Sequence, residues 1–380
     1  MNSKLYRLVM VMIVVAALAV LVKPSAAQET IPLPLAEPGP YAVGMRSLSL
    51  TDTSRDGRKL DLVVWYPAIP PVNPDKKLTA LFPPEEWGWQ KAMPDLKGAP
   101  YPLILYSPYY QGSGEQLHDL SLNLPLASHG FVVAGLSHLH DDSQVSLVDR
   151  PLDILFVIDQ LAALKEGELA GLIDADHVGV MGFSSGAWTT LAVTGARIDP
   201  TSIRTWISKS TAPSDGSDPR FKWNDWDWDK LVAYRARSSP LNAEDLWPPF
   251  TDSRIKGALL FAACKTSLFG DRGLAAATVP TLIVAGTADM ECPYEQNATY
   301  AYAHLGSRDR YLLSEVNKGH APFGDPGSGY SHVVTQFTGA FFGYYLQGRA
   351  DYAQYLTAKY VDSVEALLKL GLVWGPYQGK

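Results

Sequence analysis

Positive charge, cysteine and long apolar runs are all scarce in this chain. Its 32 Lys and Arg are outnumbered by 39 Asp and Glu, which leaves a formal charge of -7. Nucleic-acid binding rests on basic side chains that neutralise phosphates, so no DNA or RNA partner is expected. Two cysteines in 380 residues exclude a small scaffold built on disulfides. A composition 47% hydrophobic and 19% charged is too apolar for a disordered chain. No heptad run, internal repeat or phosphate-cradling glycine loop occurs. A large globular α/β chain remains, and folds of that class often run past 250 residues as one unit.

The longest apolar run, Leu8 to Val22, has 15 residues, short of the roughly 20 that cross a bilayer. It follows Lys4 and Arg7 and precedes Ser25-Ala26-Ala27, with small residues at the -3 and -1 positions of a cut after Ala27. This is the plan of a secretory signal. Residues 1–27 are therefore expected to be removed, giving a secreted or periplasmic product without a stable membrane anchor; a retained N-terminal anchor is the alternative. Losing Lys4, Arg7 and Lys23 takes the charge from -7 to about -10.

In an oxidising compartment two leftover thiols are expected to pair. Cys264 and Cys292 each lie just past an apolar strand-like run, 255–261 and 280–284. Neighbouring parallel strands would bring those ends together. Two buried unpaired cysteines are the alternative.

Residues 28–40 are proline-rich and aperiodic, an extended lead-in. Strands are expected at 45–50 and 60–66, then a proline-rich excursion to about residue 102. From there apolar runs at 102–106, 131–136, 177–181, 255–261, 280–285 and 311–316 alternate with helix-length stretches. That βαβ alternation predicts a mainly parallel sheet flanked by helices, a single domain over 41–380. Sites in such sheets form at the carboxyl ends of the strands. Residues 213–252 break the alternation and gather Phe221, Trp223, Trp226, Trp228, Trp247 and Phe250. A lid over a cleft, with Trp223 and Trp226 touching substrate, and the packing aromatics of an ordinary insertion are equal readings.

The sharpest motif is Gly182-Phe183-Ser184-Ser185-Gly186, after an apolar strand and before Ala187-Trp188-Thr189-Thr190-Leu191. A strand turning sharply into a helix around G-x-S-x-G projects the serine into solvent, and glycines remove side chains that would collide. Ser184 is the candidate nucleophile, and the Ser185 N–H a candidate oxyanion donor. A serine hydroxyl needs a base and an acid to orient it, expected later in the chain. The run at 280–285 leads into Asp289, and the run at 311–316 into His320. Glu291 or Asp271 as the acid, and His304 or His332 as the base, are the rivals. A second oxyanion donor should come from Ser107-Pro108-Tyr109-Tyr110; Pro108 has no N–H, which leaves Tyr109 or Tyr110.

These motifs, with Gly39 to Gly44, Val64-Trp65-Tyr66-Pro67-Ala68, Ala127 to Val133 and Val279-Pro280-Thr281-Leu282, carry a family resemblance over nearly the whole mature chain. It resembles the serine-dependent α/β-hydrolases related to platelet-activating-factor acetylhydrolase, the cutinase-like polyester hydrolases and the dienelactone-hydrolase-like esterases. The resemblance implies an α/β-hydrolase fold, the triad Ser184, Asp289 and His320, and Tyr110 and Ser185 as oxyanion donors. Two departures stand out. Many relatives have Ser-His-Gly where this chain has Ser107-Pro108-Tyr109, so a tyrosine reshapes the acyl pocket; dienelactone hydrolases proper use cysteine where this chain has Ser184.

Two other classes compete. His138-Leu139-His140-Asp141-Asp142-Ser143 is one residue short of a zinc-hydrolase pattern, and no later histidines complete it, so no metal and no cofactor are expected. A noncatalytic binding module would normally have lost a triad member. The expectation is a secreted, monomeric serine carboxylic-ester hydrolase. Its substrate would be a small-molecule ester with a short acyl chain or an aromatic group, for which Tyr109 supplies contact. A polyester or phthalate-type diester is the alternative.

Overall fold

The computed structural model describes residues 33–72, 88–109, 112–114, 122–138, 145–210, 227–320 and 330–378. The expected signal segment, Tyr110, His140, Trp223 and Trp226 lie outside the described residues. Leu33–Lys380 forms one compact unit.

Ten strands make one sheet in the order β10-β9-β8-β7-β6-β4-β5-β2-β1-β3. They are β1 (Ala42–Asp52), β2 (Arg58–Ala68), β3 (Gly88–Gln90), β4 (Tyr101–Ser107), β5 (Val132–Ser137), β6 (Ile173–Phe183), β7 (Ile255–Phe261), β8 (Thr281–Gly286), β9 (Arg310–Glu315) and β10 (Leu372–Trp374). From β5 through β9 the sheet is parallel, while β2 meets β5, β1 meets β2 and β10 meets β9 antiparallel. The expected runs correspond to eight of these strands. The two that were not expected, β3 and β10, are short edge additions.

Continuous burial of β8 is what a strand covered on both faces requires. Alternate residues divide between two layers. Val178, Val180, Leu260 and Ile283 join one core with Ile154 and Val157 of helix α1 (Ser146–Ala162) and with Trp188 and Leu191 of helix α2 (Ser185–Val193). Trp188 stacks on Phe269 with centroids 4.9 Å apart. Helix α3 (Trp228–Ala236) extends this layer, and its Tyr234 donates to the Asp149 carboxylate at 2.7 Å. Helix α4 (Ala298–His304) packs near β8 and β9. The opposite layer is helix α5 (Tyr330–Leu346), where Phe341 and Phe342 lie over Gly179 and Gly257. A Cβ at Gly179 would come within 2.5 Å of the Phe342 ring, so glycine there sets how closely α5 approaches.

In the described part of the 213–252 insertion, residues 227–252, a few side chains reach the core while most remain exposed or half-buried. Trp247 is fully buried and pairs with the Trp228 ring at 5.5 Å, and Phe250 is buried beneath the Arg235 guanidinium. Among the described residues no helix is long and apolar enough to cross a membrane.

Strand order reverses around β4, which pairs with β5 on one side and β6 on the other. Crevices beyond such a switch point are where open α/β sheets place their ligands. Ser107 ends β4 opposite Gly182 of β6. The G-x-S-x-G segment therefore begins at that crevice.

One buried group on β9 has no evident structural use. Glu315 is fully buried and neither carboxylate oxygen has a hydrogen-bond partner. Burial pushes its carboxyl up to about 8, with Lys318 pulling the other way. A raised acid holds its full stabilising effect below the unfolded value of 4.5 and loses it as pH climbs to about 8. Glu315→Gln is therefore expected to stabilise the protein by about 2 to 4 kcal/mol above pH 8 and by much less at pH 4. Melting curves at the two pH values check this; an equal shift at both would contradict it.

Candidate active site

Ser184 joins β6 to α2 with φ 57° and ψ -118°, a conformation that side chains other than glycine rarely adopt. Backbone bonds hold it there: its N–H donates to Phe261 O at 2.9 Å, and its carbonyl accepts from Ala187 N at 3.0 Å. The flanking glycines are sterically required. A Cβ on Gly182 would sit 2.1 Å from Gly186 O, and one on Gly186 would sit 1.9 Å from Ser107 O. Ser185 is the first residue of α2, so its N–H belongs to the turn that has no intrahelical acceptors.

Asp289 is held by its own loop. Its Oδ1 accepts from Glu291 N at 2.9 Å and Cys292 N at 2.8 Å, and its Oδ2 meets His320 Nδ1 at 2.7 Å. Both side chains are largely buried. The β8 and β9 loops that carry them are stitched together by Ala288 N to Lys318 O at 2.8 Å and Asn317 N to Thr287 Oγ1 at 2.9 Å. A Cβ on Gly286 would strike Lys318 O at 2.3 Å, so a glycine at the end of β8 permits this contact.

The rival acids and bases are engaged elsewhere. Asp271 pairs with His304 at 3.3 Å and with the Tyr300 hydroxyl at 2.6 Å. Glu291 reaches Asp289 only through its backbone. His332 lies on α5, where burial lowers its imidazole.

Cys264 and Cys292 form a disulfide, as the exported context and the strand ends led one to expect. It ties the end of β7 to the Asp289 loop across a separation of 28 residues. It also abuts Ser184 and His320: Ser184 Oγ lies 3.3 Å from Cys264 Sγ, and a His320 ring nitrogen falls within 4.8 Å of both sulfurs. Two thiolates and a histidine at such distances would suit a metal, but sulfurs joined to each other cannot supply thiolate ligands.

Ser184 and His320 thus flank one disulfide, and the direct bond between them is not formed. Ser184 Oγ is turned to sulfur instead. Hydrogen bonds of this kind often tighten only once substrate is present. Replacing both cysteines by serine should lower stability by about 3 to 4 kcal/mol for a loop of this length. Denaturant unfolding checks it; an unchanged midpoint would contradict it.

Tyr109 is exposed and packs edge-on against Phe183 at 6.0 Å between centroids, while Phe183 lies 5.1 Å from the His320 ring. Tyr109, Phe183 and His320 therefore make one aromatic wall beside Ser184. Phe183, the variable residue of the motif, was not singled out from sequence, and nothing in the pattern marks that position as lining the site.

Beneath the loop that follows β4 lies a buried serine–histidine–aspartate chain. Ser107 Oγ is 3.0 Å from His138 Nε2, and His138 Nδ1 is 2.9 Å from Asp153 Oδ2. Asp153 also accepts from Arg58 Nε at 2.8 Å and Arg58 Nη2 at 2.9 Å, and forms an ion pair with Arg55 Nη2 at 2.8 Å. Arg150 donates to Ser107 Oγ at 3.1 Å and to Pro108 O. Burial first, then the Arg150 charge, lowers the His138 imidazole to about 4. Both its nitrogens are engaged, so it cannot serve the metal reading of the 138–143 segment. The network braces the loop from which the second oxyanion donor is expected.

No protein-family model matches the chain, and no curated protein matches it.

Proposed function

We propose that the protein is a serine carboxylic-ester hydrolase with an α/β-hydrolase fold, exported and working through an acyl-enzyme on Ser184. The observation that carries this reading is the pairing of a positive-φ serine between β6 and α2 with an Asp289–His320 hydrogen bond of 2.7 Å at neighbouring strand ends. The family resemblance points the same way.

Asp289 holds His320 Nδ1–H, which leaves Nε2 to accept the Ser184 proton once Oγ rotates from the disulfide into another staggered position. Oγ bonds to the ester carbonyl carbon, and the negative charge moves to the carbonyl oxygen. The Ser185 N–H meets that oxygen, with a second donor from Tyr109 or Tyr110. Collapse breaks the bond to the alcohol, which leaves with the proton held by His320. Water then attacks the acyl-enzyme, giving its proton to Nε2, and Ser184 departs as the restored hydroxyl.

Tyr109 and Phe183 favour flat or short acyl groups along this path, including phthalate-type diesters and aromatic polyesters. The test is a series of p-nitrophenyl esters from acetate to palmitate beside an aromatic diester, with labelling by a fluorophosphonate. Labelled Ser184 and highest rates on short or aromatic esters are expected. A folded protein that takes no label would be a binding module, and a preference for palmitate would overturn the short-acyl assignment.

A further inference from the structure

Three side chains of metal-ligating type meet beside Ser184, and two of them are joined to each other. Cys264 Sγ, Cys292 Sγ and one ring nitrogen of His320 all lie within 4.8 Å of one another. They come from the loops that follow β7, β8 and β9 at one edge of the sheet. In a tetrahedral zinc site, with sulfur about 2.3 Å and nitrogen about 2.0 Å from the metal, ligand atoms stand about 3.5 to 3.8 Å apart. The triangle therefore has the right size once the S–S bond is opened. The two Cα atoms are 5.2 Å apart, so rotation about the Cα–Cβ bonds moves the sulfurs apart while the loops stay in place.

The histidine is already held as a metal ligand would be. Asp289 Oδ2 meets Nδ1 at 2.7 Å, which leaves Nε2 for a metal and fixes the ring, the usual carboxylate–histidine support of zinc sites. The other oxygen of the same carboxylate accepts from Cys292 N at 2.8 Å, so Asp289 positions two of the three ligands. Both sulfurs are buried and His320 is half-buried. The fourth position falls to an oxygen, from water or from Ser184, whose Oγ lies 3.3 Å from Cys264 Sγ.

We propose that the chain with Cys264 and Cys292 reduced binds one zinc ion through both thiolates and His320, and that in this form it does not hydrolyse esters. Only the second half rests on the esterase reading. Opening the disulfide takes two electrons and two protons, which a dithiol supplies as it becomes a disulfide itself. Zinc then binds the two sulfurs and both protons are released. With Nε2 on the metal, no base remains for the Ser184 proton. Every chain is synthesised with free thiols, so the metal-holding form precedes the disulfide. Exchange with an external disulfide, which leaves as two thiols, closes the Cys264–Cys292 bond, expels the ion and frees the base.

The test reduces the full-length protein with a water-soluble phosphine, which takes oxygen from water to become phosphine oxide and leaves two thiols. Zinc binding is followed by competition with a chromogenic chelator. The reduced chain is expected to hold one zinc roughly a hundredfold or more tighter than the oxidised chain, or than reduced Cys264→Ser/Cys292→Ser. Cobalt in place of zinc should give a sulfur-to-cobalt charge-transfer band. Asp289→Asn should weaken binding by roughly 10- to 100-fold. Zinc should also raise the melting temperature of the reduced chain and leave the double variant unmoved, a readout that holds even where reduction loosens the loops. Hydrolysis of 4-nitrophenyl acetate by the reduced chain should fall roughly a hundredfold with equimolar zinc and recover with a chelator, while the oxidised chain is unaffected.

Equal zinc affinity in the oxidised and reduced chains would overturn the site, and so would tight binding retained by the double variant or a reduced chain whose melting zinc does not change. Binding without loss of hydrolysis would overturn the inhibition. Binding and melting need no substrate, so a failure of the esterase reading shows separately, as an oxidised chain that neither cleaves the ester nor takes the fluorophosphonate label.

Discussion

Ser184→Ala is expected to lower kcat for a p-nitrophenyl ester by about a millionfold while leaving the protein folded. The size follows from the absence of a substitute. Ser185 is adjacent, but its hydroxyl is buried and its backbone belongs to the helix, so it cannot reach an ester poised over the elbow. What survives the substitution is binding and the oxyanion donors, worth roughly 10³ to 10⁴ over water. Ser184→Gly should remove activity equally and also raise the melting temperature, because glycine adopts φ 57° freely whereas serine there is strained by about 1 to 3 kcal/mol. Steady-state kinetics with melting curves for the two variants check both statements. Activity within tenfold of the intact enzyme in Ser184→Ala would remove the serine mechanism, and a glycine variant less stable than the alanine variant would remove the strain account.

The elbow was legible in the sequence because its cause is local. Two glycines, a serine, an apolar run before and helix formers after lie within about twenty consecutive residues. Asp289 and His320 were legible for a related reason: each follows its own apolar run, and strand ends in parallel sheets point to one edge. Short pairings were not legible. Strands β3 and β10 have three residues each and show no period; they exist because β1 and β9 offer unpaired edges. Strand β6 begins at Ile173, earlier than expected, because Asp174 and His177 are polar and interrupt the apolar run.

The charged cluster under the loop after β4 was the least legible part. In the sequence His138 stands beside His140 and Asp141, which suggests a metal motif. Its real partners are Ser107 on β4, 31 residues back, and Asp153 on α1, 15 residues on. Arg58 comes to the same carboxylate from β2, 95 residues away. Charged residues in a sequence look like solvated surface, and only tertiary pairing makes their burial tolerable.

Asp153→Ala is expected to destabilise the protein by about 3 to 5 kcal/mol, the cost of leaving buried charge partners uncompensated. Asp153 has no exposed surface and is met by Arg58, Arg55 and His138 together. Asp153→Asn, which keeps the shape but not the charge, should lose less. Burial alone would raise the Asp153 carboxyl, yet hydrogen bonds from His138 and Arg58 and their charge bring it down to about 2. A depressed acid stabilises the fold above its unfolded value of 3.8 and loses this as pH falls to about 2. His138 adds an earlier loss, because a base lowered from 6.5 to about 4 makes the unfolded chain the better proton acceptor across that interval. The His138 contribution is therefore lost as pH falls from 6.5 to about 4, against the opposite trend set by Glu315, and His138→Gln should remove it, leaving a protein that loses less stability over that interval than the intact one. Because Arg150 and Ser107 connect this cluster to Pro108 O, Asp153→Asn should also lower kcat more than it raises KM, the signature of a loop that has lost its position around the oxyanion. A variant with reduced stability and unchanged kcat would confine the cluster to a structural role.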